Sequence, residues 1–115
     1  MNRPLLGGHV SATGGLFNAP SNGASLGFEA IQFFGASPRQ WKAGLPSREV
    51  LDRYGENLKE SGIKAVFLHA SYLVNLATSN KELLGKSVES LSTHLDIAGV
   101  LCAKGLIFHV GSSKE

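Results

Sequence analysis

Short apolar runs alternate with longer segments of helical period along this chain. The apolar runs predict four strands, at residues 5–6 with two glycines and then His9, and at residues 30–34, 65–68 and 106–108. Three segments between them predict helices, at residues 15–26, from the N-cap Ser47 to Gly62, and from a capping box formed by Ser79 and Glu82 to Gly99. Strands that alternate with helices are typical of βα units and a parallel sheet.

The third predicted helix carries an apolar stripe that we expect to face the sheet. Its members recur at helical spacing and are Leu83, Leu84, Val88, Leu91, Leu95 and Ala98. His94 lies between these positions and is predicted to be a surface residue without a role. Cys102, close to the fourth strand, is predicted to be a small buried apolar residue.

The four strands are apolar throughout, which predicts that each is buried on both faces and flanked by helices on both sides. The sequence supplies only three helices. A parallel (β/α)8 barrel takes about 250 residues, so the pattern predicts the N-terminal half of such a barrel, with residues 1–115 as one partial domain. The alternative is a small open doubly wound sheet, which four strands can form.

The amino-acid composition is that of a folded protein and does not identify a binding partner. The chain is 43% hydrophobic, with a net charge of +2 and a pI near 8.9, which permits a polyanionic partner but does not demand one. No apolar run approaches the roughly 18 residues of a membrane span, so no membrane association is expected. The single cysteine fits a reducing compartment, and we expect a cytoplasmic protein.

Three histidines stand at the ends of predicted strands. His9, His69 and His109 each follow an apolar run, and the carboxyl ends of parallel strands meet at the ligand-binding face of either architecture. Neutral imidazole is a common zinc ligand, so this grouping indicates a metal site. The alternative is that each ring hydrogen-bonds a loop carbonyl and is structural.

A basic, aromatic loop follows the second strand. Arg39, Gln40 and Trp41, followed by Lys42, suit contact with phosphates and unstacked bases. Tyr72 is expected on the same rim, where it could wedge against a nucleotide. The alternative reading is that Trp41 anchors the loop, that the charges are solvated, and that Tyr72 simply packs.

Four motifs resemble the endonuclease IV family of apurinic/apyrimidinic endonucleases, in the family's order and at similar spacing. They are GGHVSATGGL at residues 7–16, SPRQWKA at 37–43, HASYLVNLA at 69–77 and FHVGS at 108–112. The resemblance implies a barrel enzyme of base excision repair that depends on a trinuclear zinc cluster. It further implies a monomeric parent protein whose partner is double-stranded DNA and whose reaction hydrolyses the phosphodiester bond 5′ to an abasic site.

The resemblance also assigns residues to roles. It implies that His69 and His109 bind one Zn²⁺ ion, and that His9 lies near the site without being a ligand. It implies DNA contacts by four rim residues, Arg39, Gln40, Trp41 and Tyr72. The remaining ligands of the family's cluster come from later strands, so this chain is expected to supply only part of the metal site and no catalytic residue beyond the ligands.

Two other functions fit the strand-end histidines before the resemblance is considered. One is a metal-dependent sugar isomerase or epimerase of the same barrel type, against which the loop at residues 39–41 and Tyr72 argue. The other is a non-catalytic α/β module whose histidines are structural.

Overall fold

The computed structural model describes residues 3–113. The elements, in chain order, are β1 (Gly7–His9), α1 (Asn18–Ser25), β2 (Ala30–Phe34), α2 (Arg48–Ser61), β3 (Ala65–His69), α3 (Lys81–Val100) and β4 (Gly105–Ile107). All neighbouring strands are parallel, and their order in the sheet is β1-β2-β3-β4. A sequential order is that of a (β/α)8 barrel, whereas a doubly wound sheet reverses its strand order at a switch point. The predicted barrel portion is confirmed, and the open doubly wound alternative is wrong.

The sheet has two chemically different faces because successive side chains of a strand point to opposite sides. The helix-covered face and the helices on it form the buried core, which comprises Val10, Ala19, Ile31, Phe33, Tyr54, Val66, Leu68, Ile97, Ala98 and Leu101. The opposite face carries the alternate residues of each strand, and it includes Gln32, Phe34 and His69. His69, and His9 as the register partner of Gln32, therefore belong to the face that lines the interior of a barrel.

Helix α2 begins and ends at the residues that the sequence predicts. The Ser47 hydroxyl accepts a hydrogen bond from the backbone N–H of Val50 at 3.2 Å, which caps the first turn. Gly62 ends the helix in the left-handed conformation, with φ of 76°. The buried Tyr54 hydroxyl donates to the carbonyl of Leu101 at 2.9 Å and links α2 to the end of α3. Burial also raises the pKa of Tyr54.

Three element boundaries differ from the prediction. Strand β1 is confined to Gly7–His9, and residues 5–6 before it are exposed. Helix α1 starts at Asn18 because Gly14 and Gly15 have φ values of 87° and 146°, which no right-handed helix accommodates. Strand β4 ends at Ile107, so His109 lies two residues beyond it.

Helix α3 differs from the prediction in its cap and in the face that it buries. Asn80, not Ser79, is the N-cap, since its side chain accepts a hydrogen bond from the backbone N–H of Leu83 at 3.0 Å. The helix also continues past Gly99 to Val100. Its buried residues are Ser87, Ser90, His94, Ile97 and Ala98, whereas Leu84, Val88 and Leu95 of the predicted stripe are exposed. Successive residues of a helix are about 100° apart around its axis. The centre of the apolar stripe therefore lies about a quarter turn around α3 from the centre of its buried face.

Two single-residue predictions are wrong. His94 is fully buried, not on the surface, and its Nδ1 donates to the Ser90 carbonyl at 2.8 Å. Cys102 is exposed, because it occupies the turn after α3 in a left-handed conformation with φ of 57°. Across residues 3–113, no helix combines the length and the apolar character that crossing a bilayer requires.

Candidate functional site

His69 and His109 lie side by side at the carboxyl edge of the sheet. His69 is the last residue of β3, and its register partner on β4 is Ile107, so His109 follows two residues further on the same edge. Their ring centroids are 5.1 Å apart. Two imidazoles that share a tetrahedral zinc ion with Zn–N bonds of about 2.0–2.1 Å hold their ring centroids about 5 Å apart. The spacing therefore fits two ligands of one ion.

The hydrogen bond made by one ring nitrogen of His69 leaves the other ring nitrogen available to bind a metal ion. Its Nδ1 lies 2.8 Å from the carbonyl oxygen of Ala70. A carbonyl only accepts hydrogen bonds, so Nδ1 carries the proton and Nε2 keeps its lone pair. Metal-binding histidines commonly donate their other ring N–H to a carbonyl in this way, which fixes the ring orientation.

The described residues contain only part of a complete metal site. Within residues 3–113 there is no group of three or more His, Cys, Asp or Glu side chains that could hold a metal ion. Zinc sites in proteins use about three or four protein ligands. His69 and His109 thus fit two positions of such a site, and the other ligands are not among the described residues.

Phe34 lies between His9 and His69 and contacts both rings. It ends β2, where its register partner is His69. Its ring meets those of His9, His69 and Tyr72 edge-on, at centroid distances of 4.8, 5.4 and 5.3 Å. From the sequence, Phe34 is only the last residue of an apolar strand. The signal that identifies it is its position in the register beside a strand-end histidine.

The loop after β2 is held against the loop after β3. The carbonyl of Pro38 accepts hydrogen bonds from the backbone N–H of Tyr72 at 2.8 Å and from the Ser71 hydroxyl at 2.9 Å. Arg39 and Gln40, which follow Pro38, are exposed. The structure therefore brings Arg39, Gln40 and Tyr72 to one rim.

Tyr72 and Trp41 occupy different environments on this rim. Tyr72 is 56% exposed, although one side of its ring packs against Phe34 and His69. Trp41 is half-buried and borders α3, where it shares a small cavity with Asn80 and Lys86. Trp41 therefore borders α3, whereas more than half of the Tyr72 side chain is open to solvent.

Asn75, to which the sequence assigned no role, positions the segment that carries His109. The Asn75 side chain donates to the Ser112 carbonyl at 3.0 Å and accepts from the Ser112 backbone N–H at 3.2 Å. Gly111 lies within this segment with φ of 110°, and a Cβ there would overlap the Asn75 amide oxygen. A polar residue inside the apolar run at residues 73–77 is the signal that could have revealed this clamp.

His9 lies in the same group but has a different environment. Its ring borders a cavity of about 640 Å³ between the loops that follow β1 and β2. Partial burial, and to a smaller extent the nearby His69, lower the pKa of His9. His9 therefore remains uncharged at neutral pH.

This chain is similar to a family of barrel proteins and to several named relatives. A sequence model of the family described as xylose isomerase-like TIM barrel matches residues 21–115. A probable endonuclease 4 from Campylobacter concisus is 44% identical over 109 residues, and one from Thermoplasma acidophilum is 32% identical over 110 residues. The crystal structure of endonuclease IV from Thermus thermophilus matches with a TM-score of 0.86 at 34% identity.

These matches cover nearly all of this chain but a minority of each relative. They include 93% of the chain and 38% of the Campylobacter protein, and 96% of the chain and 39% of the Thermoplasma protein. In the Thermus structure the match spans 96% of this chain and 42% of that one. The chain corresponds to the N-terminal portion of these relatives.

Proposed function

This chain belongs to the xylose isomerase-like TIM barrel family, and we propose that it is the N-terminal portion of a zinc-dependent DNA repair endonuclease. The proposed reaction is hydrolysis of the phosphodiester bond 5′ to an abasic site in double-stranded DNA. The observation that carries the proposal is the pair of strand-end imidazoles, His69 and His109, 5.1 Å apart on a chain whose relatives are named endonucleases.

In this proposal the chain supplies two zinc ligands and a DNA-contacting rim. His69 and His109 hold the ion through ring nitrogens, and the Ala70 carbonyl fixes the orientation of His69. Bound zinc ions supply an activated water nucleophile and neutralise negative charge on the phosphate. The other ligands of a trinuclear cluster belong to the part of the relatives that this chain does not span.

The rim residues contact DNA in the proposal. Arg39 and Tyr72 enter the duplex at the abasic position. The exposure of both side chains, and the hydrogen bonds of Pro38 that tie their loops together, support this role. Gln40 contacts the backbone beside them. Trp41 acts on DNA indirectly by holding this loop against α3.

The cellular setting is also a proposal. A single cysteine supports a reducing cytoplasm, and a monomeric complete enzyme follows the resemblance to endonuclease IV. The relatives reported above are named endonucleases, which favours this reading over a sugar isomerase or a non-catalytic module.

Zinc titration of this chain joined to the C-terminal portion of the Thermus endonuclease IV tests the metal site, because the chain alone supplies only two ligands. We expect the His69→Ala/His109→Ala double variant to bind at least one zinc ion fewer than the unchanged joined protein, and His94→Leu, which removes an imidazole elsewhere, to bind as many. A double variant that binds as much zinc as the unchanged joined protein contradicts the proposed site.

Activity is tested with this chain joined to the C-terminal portion of the Thermus endonuclease IV. We expect the joined protein to nick a duplex that carries an abasic analogue, and to lose that activity on chelation of zinc. Tyr72→Ala should lower the preference for the abasic duplex by about fivefold or more, since stacking contacts contribute about 1–3 kcal/mol each. Equal cutting of abasic and ordinary duplexes by the zinc-loaded joined protein would contradict the proposed abasic-site endonuclease function.

A further inference from the structure

His9 and Gln32 form a hydrogen-bonded pair on the inner face of the sheet. They are register partners on β1 and β2, which places their side chains next to each other. The Gln32 Nε2 atom lies 2.9 Å from the His9 Nδ1 atom. A carboxamide nitrogen only donates hydrogen bonds, so His9 Nδ1 must accept. In a neutral imidazole the single proton then resides on Nε2.

This tautomer is the opposite of the one that His69 adopts. His69 carries its proton on Nδ1 and offers a lone pair at Nε2, whereas His9 offers an N–H at Nε2. Phe34 lies between the two rings and holds both edge-on. A nitrogen that bears a proton cannot coordinate a metal, so β3 presents a metal ligand and β1, two strands away, presents a hydrogen-bond donor.

The Nε2–H of His9 has no hydrogen-bond acceptor among residues 3–113. His9 is exposed, and its ring borders the cavity of about 640 Å³, which Ser11, Thr13 and Ser37 also line. The ring is uncharged at neutral pH for the reasons given above. An acceptor oxygen of a ligand in this cavity is a suitable partner for an uncharged N–H donor.

We propose that His9 is a hydrogen-bond donor to a phosphodiester oxygen of the substrate, and that Gln32 is the positioning residue that fixes its Nε2–H tautomer. The inference rests on the proposed function for the identity of the substrate. His9 would then contact the substrate and not the metal ion. Gln32 would have a role that no sequence motif indicated.

The tautomer is measured by two-bond ¹H–¹⁵N correlation spectra of the histidine rings in the intact chain. We expect the Nε2–H pattern for His9 and the Nδ1–H pattern for His94, which donates to Ser90 and serves as an internal reference. Gln32→Glu supplies a carboxylate acceptor and should switch His9 to the Nδ1–H tautomer. Gln40→Glu makes the same change on the exposed loop and should leave the His9 signals unchanged.

The donor role is measured with dimethyl phosphate, a minimal phosphodiester, and with an abasic duplex. We expect dimethyl phosphate to shift the His9 ring signals in the wild-type chain. Binding of both probes should fall about tenfold in His9→Leu and in Gln32→Glu, but only a few-fold in His9→Gln, which retains a neutral N–H donor. Zinc stoichiometry should be the same in all of these forms.

Several results overturn the inference. An Nδ1–H tautomer in the wild-type chain rejects the role of Gln32, and loss of zinc on His9→Leu as severe as on His69→Ala makes His9 a ligand. No response of His9 to dimethyl phosphate rejects the donor role. If the chain binds dimethyl phosphate through His9 but the joined enzyme does not prefer abasic DNA, the proposed function fails while the donor assignment stands.

Discussion

A buried imidazole on α3 leaves one nitrogen without a hydrogen bond. His94 is fully buried, and its Nε2 is a buried side-chain atom that finds no hydrogen-bond partner within the described part of the chain. A buried polar atom without a partner costs about 1–3 kcal/mol. We therefore expect His94→Leu, which has a similar volume and no polar atom, to raise the free energy of unfolding by about 1 kcal/mol.

Urea denaturation measures the effect of His94→Leu. His94→Ala is the control, because it also removes the unpaired nitrogen but leaves a cavity, and it should destabilise the fold by about 2 kcal/mol or more. Clear destabilisation by His94→Leu would mean that Nε2 is hydrogen-bonded in solution.

Gly111 determines where the His109 segment lies relative to Asn75. A Cβ at Gly111 would overlap the Asn75 amide, and its φ of 110° is unfavourable for any other residue. Gly111→Ala should displace the segment and weaken zinc binding about tenfold, the usual scale for loss of a residue that orients a ligand. Gly44→Ala is the matched control, since a Cβ there meets nothing within 4 Å. Equal zinc affinity of the two variants would contradict the clamp.

At the scale of elements, an ion pair joins the segment before β1 to the start of β2. Arg3 and Glu29 form a two-pronged contact, with N–O distances of 2.7 and 2.8 Å. The hydrogen bond from Arg3, supported by the Leu6 backbone N–H and the positive charge, lowers the pKa of Glu29 to about 2. A carboxyl whose pKa is lower in the folded chain stabilises the fold above its unfolded pKa, and the contribution is lost as pH falls toward about 2.

Thermal unfolding followed from pH 6 down to about pH 2 tests this pair. We expect the wild-type chain to lose stability more steeply below about pH 4.5 than Glu29→Gln, whose side chain does not titrate. Arg3→Gln should remove most of that difference, because it removes the main cause of the lowered pKa. Parallel curves for the wild-type chain and Glu29→Gln would show that the pair is not formed in solution.

The helices and strands that are defined by neighbouring residues, such as a cap or an apolar run, were predictable from the sequence. The ends of α2 follow from Ser47 and Gly62, and β2 and β3 follow from their apolar runs. The orientation of α3 was not predictable, because an apolar stripe indicates a packing surface without saying which neighbour it meets. The buried face of this helix consists of three polar residues and two apolar ones, which are Ser87, Ser90, His94, Ile97 and Ala98.

The residues of the candidate site were predictable from the sequence only where the direction of the strands determines which edge of the sheet they reach. Parallel strands bring His9, His69 and His109 to one edge, and this followed from the βα pattern. The contact of Phe34 with His69 and the clamp by Asn75 join residues more than 30 positions apart. Such contacts depend on strand register and loop closure, which a single sequence does not specify.

At the scale of the whole molecule, α3 presents an apolar surface to solvent. Leu84, Val88 and Leu95 are 37%, 52% and 57% exposed and lie along one stripe. The inner face of the sheet adds Ile107, which is 42% exposed. Contiguous apolar patches on a soluble chain promote association, so we expect the isolated 115-residue chain to self-associate.

Sedimentation velocity over a concentration series tests the role of the stripe. Fully burying an aliphatic side chain contributes about 1.5–3 kcal/mol, and about 1.4 kcal/mol corresponds to a tenfold change in affinity. Leu95→Glu should therefore weaken self-association at least about tenfold. Thr93→Glu adds the same charge two residues before Leu95, on the opposite side of α3, and should change association much less. If the two variants sediment alike, the association arises from the sheet edges, whose unpaired backbone groups remain available in both.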